Sequence, residues 1–234
     1  MARFVAVLSG KGGVGKTSVA VNLGYALHKL GVDTVVLEGN LSSPNLSSFL
    51  SNSHFPISLH TVMTGFHPID SAVHTHESGL RFVPADTAVD AIRLVDFDNL
   101  HSAVQDLHLT SDVVLVDGCS GLSRETGKIL DFCDEVLVVT NGDEVSVSDA
   151  RRVIDLSKRL KKGVSGVVLN KHQKSSSVLS DSFIERFLGV PIVSKIPFDD
   201  RFSNAISKKS PFAHMFPRSS AAKEFHNFAY KFNY

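Results

Sequence analysis

The stretch LSGKGGVGKTSVAVNLG, residues 8–24, matches two phosphate-binding patterns at once. Beginning at Gly10 it contains G-x-G-x-x-G, which is typical of dinucleotide-binding domains. It also contains the P-loop pattern G-x-x-x-x-G-K-[ST], which begins at the same glycine and ends at Thr17. The first pattern predicts an oxidoreductase with a nicotinamide or flavin cofactor, and the second predicts a nucleoside triphosphatase.

Short β-branched segments recur between helical patterns along the 234 residues. Several are apolar throughout, as strands covered by helices on both faces should be. We therefore predict an α/β fold with a mostly parallel sheet of about seven or eight strands flanked by helices. Because no composition break marks a boundary, we expect a single domain over residues 1–234.

The apolar periodicity places the individual elements. The first helix starts inside the quoted stretch and ends at Gly31, and the serine-rich residues 172–182 are expected to form a mobile loop. The predicted strands are residues 4–8, 34–37, 81–84, 112–116, 135–140, 164–169 and 192–196. The later predicted helices are residues 96–107, 124–132, 146–160, 182–188 and 221–232.

Composition limits the partners and the location. Lys and Arg equal Asp and Glu at 24 each, so the chain gives no direct signal for nucleic acid or an anionic membrane. No apolar run approaches the roughly 20 residues that span a bilayer, and we expect a cytoplasmic protein. Cys119 and Cys133 lack the spacing of metal ligands and are expected to be small buried side chains.

Lys16 and Thr17 favour the P-loop over the dinucleotide pattern. Glu38, at the end of the second predicted strand, supports the dinucleotide pattern because an acid there would bind a ribose hydroxyl. That pattern, however, has no use for Lys-Thr, whereas a P-loop lysine reaches the phosphate oxygens and the threonine hydroxyl binds Mg²⁺. Asp117, which ends an apolar strand, is placed to hold the same Mg²⁺. We therefore expect a P-loop NTPase fold that binds ATP and Mg²⁺, with a dinucleotide-binding oxidoreductase as the less favoured alternative.

The backbone of the loop also suits phosphate. The N–H groups of residues 12–17 form a concave nest, and glycines permit the close approach and positive φ that such a nest needs. The helix that follows Lys16 adds its positive end. The loop is therefore expected to hold the phosphates of the nucleotide.

Seven pieces of the chain resemble one family in order and spacing. SGKGGVGKTSVAVNLG resembles the deviant P-loop of the MinD/ParA family, and VVLEGNLSSPNLSSFL resembles its second acidic motif. DVVLVDGCSGLSRET is similar to the Mg²⁺-side strand and VLVVTNGDEVSVSDA to a later strand end, while GVVLNK resembles the segment whose Asn reads adenine. SKIPFDDRFSNAISKKSPF and FPRSSAAKEFHNFAYKF resemble the C-terminal pieces. The resemblance covers nearly the whole chain and is greatest to compact MinD-like ATPases.

The resemblance implies roles for individual residues. In this family the signature lysine, here Lys11, contacts the nucleotide of a second subunit, so ATP binding would form a homodimer. The nucleotide-binding residues would be Gly10, Gly12, Gly13, Val14, Gly15, Lys16, Thr17, Ser18, Asn170, Pro197, Phe198 and Asp199. Thr17 and Asp117 would hold Mg²⁺, and Lys11, Lys16, Glu38 and Asn40 would form the catalytic set.

Two residues depart from the pattern of the family. The second acidic motif usually carries two aspartates one residue apart, and this chain has Glu38 and Asn40 instead. The family's second Asp positions or activates the attacking water. Asn40 cannot take a proton, although an amide can orient water. ATP hydrolysis is therefore expected to be slow or absent unless Glu38 reaches the water, and an ATP-binding scaffold without useful turnover is the alternative.

Other members of the superfamily suggest functions that this sequence fits less well. Iron–sulfur carriers use cysteine pairs whose spacing does not occur here, which leaves a metallocentre-assembly ATPase as an alternative only. The C-terminal segment, with Phe225 at the start of a helical apolar pattern, is expected to pack on the body and not to anchor in a membrane. His74 and His76 have metal-like spacing, but the sequence shows no third ligand. We expect a nucleotide-driven dimer switch for cellular positioning or assembly, with an unidentified protein partner.

Overall fold

One eight-stranded sheet organises the protein, whose computed structural model describes residues 2–93, 96–173 and 178–233. The strand order is β3-β4-β2-β5-β1-β6-β7-β8, and every pair is parallel except β3 with β4. The strands are Arg3–Ser9 (β1), Thr34–Glu38 (β2), His74–Thr75 (β3), Arg81–Val83 (β4), Val113–Ser120 (β5), Glu135–Thr140 (β6), Gly163–His172 (β7) and Ile192–Pro197 (β8). The predicted mostly parallel sheet and its strand number are confirmed.

Helices cover both faces of this sheet. Two short 3-10 helices, Ile69–Ala72 and Phe97–Asn99, accompany the α-helices. The α-helices are Lys16–Lys29 (α1), Leu46–Leu50 (α2), Leu59–Met63 (α3), Val89–Arg93 (α4), Leu100–Val104 (α5), Leu107–Thr110 (α6), Arg124–Phe132 (α7), Glu144–Arg159 (α8), Asp181–Leu188 (α9), Phe202–Ser207 (α10), Phe212–Met215 (α11) and Ser220–Asn233 (α12).

The central strand β1 shows why the sheet is apolar throughout. Phe4, Ala6 and Leu8 face the cluster that contains side chains of α3, α5, α7, α8 and α9. Val5 and Val7 face the opposite cluster, built with α1, α2, α11 and α12. Because alternate side chains of a strand point to opposite faces, a strand between two helical layers must be apolar at every position.

The first helix ends where the sequence predicts. Gly31 has a positive φ of 83° after the C-terminal residue of α1. Its N–H donates to the carbonyl oxygen of His28 at 2.9 Å, and the N–H of Val32 donates to that of Leu27 at 3.2 Å. A glycine adopts this left-handed conformation without the steric cost of a Cβ atom, so α1 stops here.

One predicted helix is wrong. Residues 96–107 form the 3-10 helix Phe97–Asn99 followed by α5 and the start of α6, with a turn between the two α-helices. The Asp96 carboxylate accepts the N–H of Asp98 at 3.0 Å. This bond caps the start of the 3-10 helix, whereas the predicted α-helix is interrupted at residues 105–106, between α5 and α6.

The ends of the predicted serine-rich loop also differ from expectation. His172 is the last residue of β7, and Asp181 is the first residue of α9. Residues 174–177 lie outside the described residues. Several short elements lie in segments for which the sequence pattern predicts none. They are the strand β3, the helices α2, α3, α4, α10 and α11, and the 3-10 helix Ile69–Ala72.

The C-terminal helix α12 packs on the body as predicted. Phe225 and Phe228 are fully buried in the cluster that also contains α1. The guanidinium of Arg3 lies 4.4 Å from the ring centroid of Phe232 and donates to its carbonyl oxygen at 2.9 Å. Among the described helices, none has the length and apolar character required to cross a bilayer.

Replacing Phe225 by Ala is expected to lower the free energy of unfolding by about 3–5 kcal/mol, because the buried ring leaves a cavity between α12 and α1. The matched control is Phe66→Ala, since Phe66 is 85% exposed. It should change the stability by no more than about 0.5 kcal/mol. Urea denaturation of both variants checks the expectation, and equal losses would contradict the placement of α12.

Candidate functional site

The carboxyl ends of the parallel strands gather the polar residues of the site at one edge of the sheet. Asp117 of β5 lies opposite Val7 of β1 and opposite Glu38 of β2 in the strand register. Asn170 is near the end of β7, and Pro197 ends β8. Ligands of open parallel sheets bind outside this edge, so it is the place where the predicted residues can act together.

The loop between β1 and α1 lies against two neighbours at distances that exclude larger residues. A Cβ atom at Gly10 would lie 2.1 Å from the backbone carbonyl carbon of Asp149 in α8. A Cβ atom at Gly15 would lie 2.2 Å from Nδ2 of Asn170, and Gly15 also has a φ of 95°. Glycine at these positions therefore reflects both close packing and backbone conformation.

Strand β7 holds the same loop through two side chains. Nδ2 of Asn170 donates to the carbonyl oxygen of Val14 at 2.8 Å, and Nζ of Lys171 donates to that of Gly13 at 2.8 Å. These carbonyl groups are acceptors that would otherwise lack a partner in the loop. With them fixed, the N–H groups of the loop are free to point toward an anion, as in a phosphate-binding nest.

A cavity of about 440 Å³ opens beside the loop and has the size of a small-molecule site. Its lining contains most of the predicted nucleotide-binding residues, namely Gly13, Gly15, Lys16, Thr17, Ser18, Asn170, Pro197, Phe198 and Asp199. The lining does not include Gly10, Lys11, Gly12 or Val14. Sequence reasoning missed the remaining lining residues, namely Asn45, Phe49, Lys171, Phe202, Ser203 and Ile206.

Asp117 and Thr17 have the properties of a cation site. Burial raises the pKa of Asp117 to about 6, against the charge of Lys16 and a hydrogen bond from Thr17, which lower it. The side chain is 2% exposed, and its Oδ1 atom has no hydrogen-bond partner in the described structure. A buried carboxylate oxygen without a partner, beside a threonine hydroxyl, fits the oxygen ligands that Mg²⁺ prefers.

Glu38 does not reach the cavity. It is fully buried, and its Oε2 accepts the N–H groups of Asn45 and Leu46, both at 2.7 Å, while Oε1 accepts that of Asn40 at 3.0 Å. Burial and the nearby charge of Asp117 raise its pKa to about 8. The carboxylate thus organises residues 40–46, which argues against both expected roles, as ribose ligand and as substitute base.

The Asn40 side chain is also turned into its own loop. Its Nδ2 donates to the carbonyl oxygen of Ser43 at 2.7 Å, and its Oδ1 lies 3.6 Å from Sγ of Cys119. Asn40 is absent from the cavity lining. To orient a water molecule, the amide would have to leave the Ser43 contact.

Lys11 is exposed and lies outside the cavity lining, as do its chain neighbours Gly10 and Gly12. The hydroxyl of Ser9 donates to its carbonyl oxygen at 2.9 Å, which fixes the backbone but not the ammonium group. The positive charge of that ammonium acts on Asp143, the N-cap residue of α8. Burial would raise the pKa of Asp143, but its bonds with Ser146 and the charge of Lys11 hold it below the usual value.

The other candidate ligands are engaged within the protein. Cys119 and Cys133 are both buried, and burial raises the pKa of each thiol. His74 contacts the carbonyl oxygen of Ile57 at 3.3 Å. His76 follows β3, and its two ring nitrogens contact Ser78 and the carbonyl oxygen of Lys209. In the described ranges no three His, Cys, Asp or Glu side chains are grouped to hold a metal ion.

Known proteins resemble this chain in sequence. The ParA family model, described as NUBPL iron-transfer P-loop NTPase, matches residues 1–233. An uncharacterised ATP-binding protein of Methanocaldococcus jannaschii is 30% identical over 223 residues, which are 95% of this chain and 84% of that protein. The match therefore extends over essentially the whole P-loop architecture.

Two solved structures resemble the whole chain. The cell division ATPase MinD of Pyrococcus furiosus has a TM-score of 0.94 at 26% identity, with 100% of this chain and 99% of that chain covered. The septum site-determining protein MinD of Pyrococcus horikoshii, complexed with Mg-ADP, has a TM-score of 0.94 at 25% identity, with coverage of 100% and 96%. The predicted resemblance to MinD and ParA proteins is confirmed.

Replacing Gly15 by Ala is expected to weaken the binding of Mg·ATP by about 30-fold or more, because the added Cβ displaces Asn170 and strains the loop. The control is Gly31→Ala, which also requires a positive φ but meets nothing within 4 Å. It should cost about 1 kcal/mol of stability and leave the affinity within about twofold. Isothermal titration calorimetry measures both, and unchanged affinity in Gly15→Ala would remove the site from this loop.

Proposed function

This chain belongs to the ParA family of P-loop NTPases, and from that premise we propose that it is a Mg²⁺-dependent ATPase whose bound nucleotide brings two copies together. In this state it acts as a switch that positions or assembles a protein partner. The observation that carries the proposal is the phosphate nest of the P-loop beside Thr17 and the unpartnered buried oxygen of Asp117. A reaction on a nucleoside triphosphate needs both parts, since charge develops on the phosphoryl oxygens.

Different residues of the chain would bind the metal ion and the phosphates. Thr17 and Asp117 would hold Mg²⁺, which neutralises phosphate charge when bound. Lys16, the first residue of α1, adds a fixed cation at the positive end of that helix. The N–H groups of the nest orient the phosphates without any change in protonation. Binding and orientation, more than proton transfer, are what phosphoryl transfer requires.

Asn170 suits the recognition of an adenine base. One amide hydrogen holds the carbonyl oxygen of Val14, which leaves Oδ1 and the second hydrogen for a base edge. Pro197, Phe198 and Asp199 line the same cavity. Asn170 would thus connect the position of the base to the position of the P-loop, because the side chain that binds Val14 would also contact the base.

Lys11 supports the association of two copies. Its side chain lies outside the cavity of its own chain, and its positive charge lowers the pKa of Asp143. If a second copy offers its nucleotide to this ammonium, the triphosphate completes a site that one chain alone leaves incomplete. Nucleotide binding and dimer formation are then coupled in both directions.

The iron-transfer description of the family model does not favour a metallocentre function for this chain. Thiolates are the form that binds iron, and exposed, low-pKa cysteines provide them. Cys119 and Cys133 are buried, and burial raises the pKa of both thiols. The P. furiosus and P. horikoshii relatives are named for cell division and septum site determination, which supports a positioning role instead.

Lys11→Ala is expected to abolish dimer formation in saturating Mg·ATP while ATP affinity stays within about threefold, since Lys11 does not line its own cavity. Lys16→Ala is the matched control. It removes a charge-assisted contact worth about 1.5–3 kcal/mol and should weaken ATP binding itself. Sedimentation velocity and calorimetry measure the two effects. A parent protein that remains monomeric, or a Lys11→Ala protein that dimerises normally, refutes the switch.

Asn40→Asp is expected to raise the single-turnover rate of ATP hydrolysis by about 10²-fold or more, the effect typical of a positioned acid–base group. A carboxylate cannot donate to the Ser43 carbonyl as Asn40 does, so the new side chain leaves that contact and faces the water. Asn40→Ala provides the control and should hydrolyse more slowly than the parent.

The measurement uses preformed dimers, because hydrolysis then does not depend on assembly. If the parent hydrolyses ATP as fast as Asn40→Asp, another group supplies the missing function. If neither protein hydrolyses ATP but both bind it, the chain is an ATP-dependent scaffold. Both outcomes would refute the proposed slow ATPase.

A further inference from the structure

A second buried carboxylate, Glu125, contacts the loop that carries Asn40. Glu125 lies in the first turn of α7 and is 8% exposed. Its Oε1 accepts the backbone N–H of Ser42 at 3.0 Å and also the Ser42 hydroxyl. Its Oε2 accepts the thiol of Cys119 at 2.7 Å. None of these three residues lines the cavity.

The Cys119 thiol lies between this carboxylate and Asn40. Sγ is 3.6 Å from Oδ1 of Asn40 and 3.7 Å from the carbonyl oxygen of Gly39. The thiol has one hydrogen, which it donates to Oε2 of Glu125 at 2.7 Å, so its contact with Asn40 is a packing contact. The Cys119 side chain therefore keeps Glu125 and Asn40 at a fixed separation.

Two carboxyl side chains from different elements thus hold residues 39–46. Glu38 of β2 binds the N–H groups at both ends of the segment, on Asn40 and on Asn45 and Leu46. Glu125 of α7 binds its middle at Ser42. The segment has no helix or strand of its own before α2 begins at Leu46, so these bonds replace secondary structure.

Glu38 alone cannot fix the Asn40 side chain. It holds the Asn40 backbone N–H, whereas the side-chain amide donates to the carbonyl oxygen of Ser43 and its oxygen packs against Cys119, which Glu125 orients. Cys119 is two residues beyond Asp117 on β5, so the same contact relates Asn40 to the cation site. Leu41 is buried in the core, and Asn40 and Ser43 bond to each other, but Glu125 supplies the bonds that hold Ser42 to α7. Removing Glu125 would therefore release Ser42 while Asn45 stays in the cavity wall.

We propose that Glu125 is a positioning residue that, through Ser42 and the Cys119 thiol, fixes Asn40 relative to Asp117 and thereby couples α7 to the phosphate end of the bound nucleotide. The inference rests on the proposed ATPase function for its effect on turnover. Its structural part, the anchoring of residues 39–46, does not depend on hydrolysis.

The test compares Glu125→Ala with Glu125→Gln. Gln retains an oxygen that accepts from Ser42, whereas Ala retains nothing. In Glu125→Ala we expect amide hydrogen exchange in residues 39–46 to accelerate about tenfold or more, with the exchange of α8 unchanged. The single-turnover rate of ATP hydrolysis should fall about tenfold, while ATP affinity stays within about twofold. Glu125→Gln should keep both exchange and turnover within about threefold of the parent.

Glu185→Ala is the control for loss of a helix carboxylate. Glu185 of α9 also accepts a backbone N–H, that of Ile192 at 2.9 Å, but contacts no residue of the site. It should leave exchange in residues 39–46 and turnover unchanged. If Glu125→Ala does not fold, the double variant Ser42→Ala with Cys119→Ala removes both side-chain donors to Glu125 but keeps the Ser42 backbone N–H bond, and it is expected to change exchange and turnover in the same direction by a smaller factor.

Three outcomes overturn the proposal. Exchange in residues 39–46 that is unchanged in Glu125→Ala shows that the segment is anchored elsewhere. Equal losses in Glu125→Ala and Glu125→Gln show that the charge matters and not the anchoring. Weakened ATP affinity with an unchanged rate shows a role in binding. A parent that does not hydrolyse ATP refutes the proposed function instead, and hydrogen exchange still decides whether Glu125 anchors the segment.

Discussion

The close contact of the P-loop backbone with α8 and β7 is the constraint on which the site depends. At Gly10 the backbone lies so near to Asp149 that no Cβ atom fits, and at Gly15 it meets the Asn170 amide. These contacts fix the loop relative to both the outer helix layer and the carboxyl edge of the sheet. The N–H groups can then face an anion without reorganising when it binds, which is how a preorganised electrostatic site gains its strength. The covered parallel sheet is the frame that keeps both neighbours in place.

Most of the fold follows from the sequence because parallel strands buried on both faces leave an unambiguous apolar signature. The P-loop, Asp117 and Asn170 are predictable for a related reason, since the P-loop follows such a strand and the other two come directly after its apolar run, although β5 and β7 continue beyond them. Asn45 and Phe49 are not, because they reach the cavity from a loop and a five-residue helix without a periodic pattern. The helix predicted over residues 96–107 divides into shorter helices, because the apolar period does not mark the turn at residues 105–106 between α5 and α6.

The roles of Glu38 and Asn40 could not be predicted because they depend on hydrogen bonds to the backbone of their own loop. From the sequence, a carboxylate at the end of a strand is predicted to bind a substrate or cofactor. In the structure, however, the oxygens of Glu38 accept hydrogen bonds from three backbone N–H groups. Burying a carboxylate without such donors costs several kcal/mol, on the order of the penalty for an unpaired ion. Its pKa of about 8 shows that these bonds only partly offset burial and the charge of Asp117.

The neutral residue at position 40 fits this accumulation of buried acids. Glu38, Asp117 and Glu125 already place three carboxyl groups around residues 39–46. Lys16 is the cation whose charge lowers the pKa of Asp117, and it is also the residue assigned to the phosphates. A fourth carboxylate would add like-charge repulsion that disfavours ionisation of its neighbours. An amide at this position instead donates to Ser43 and approaches Cys119, so the loop stays ordered before any nucleotide or cation is bound. The arrangement thus favours a well-ordered loop in the absence of ligand, which is the property that the proposed slow switch would require.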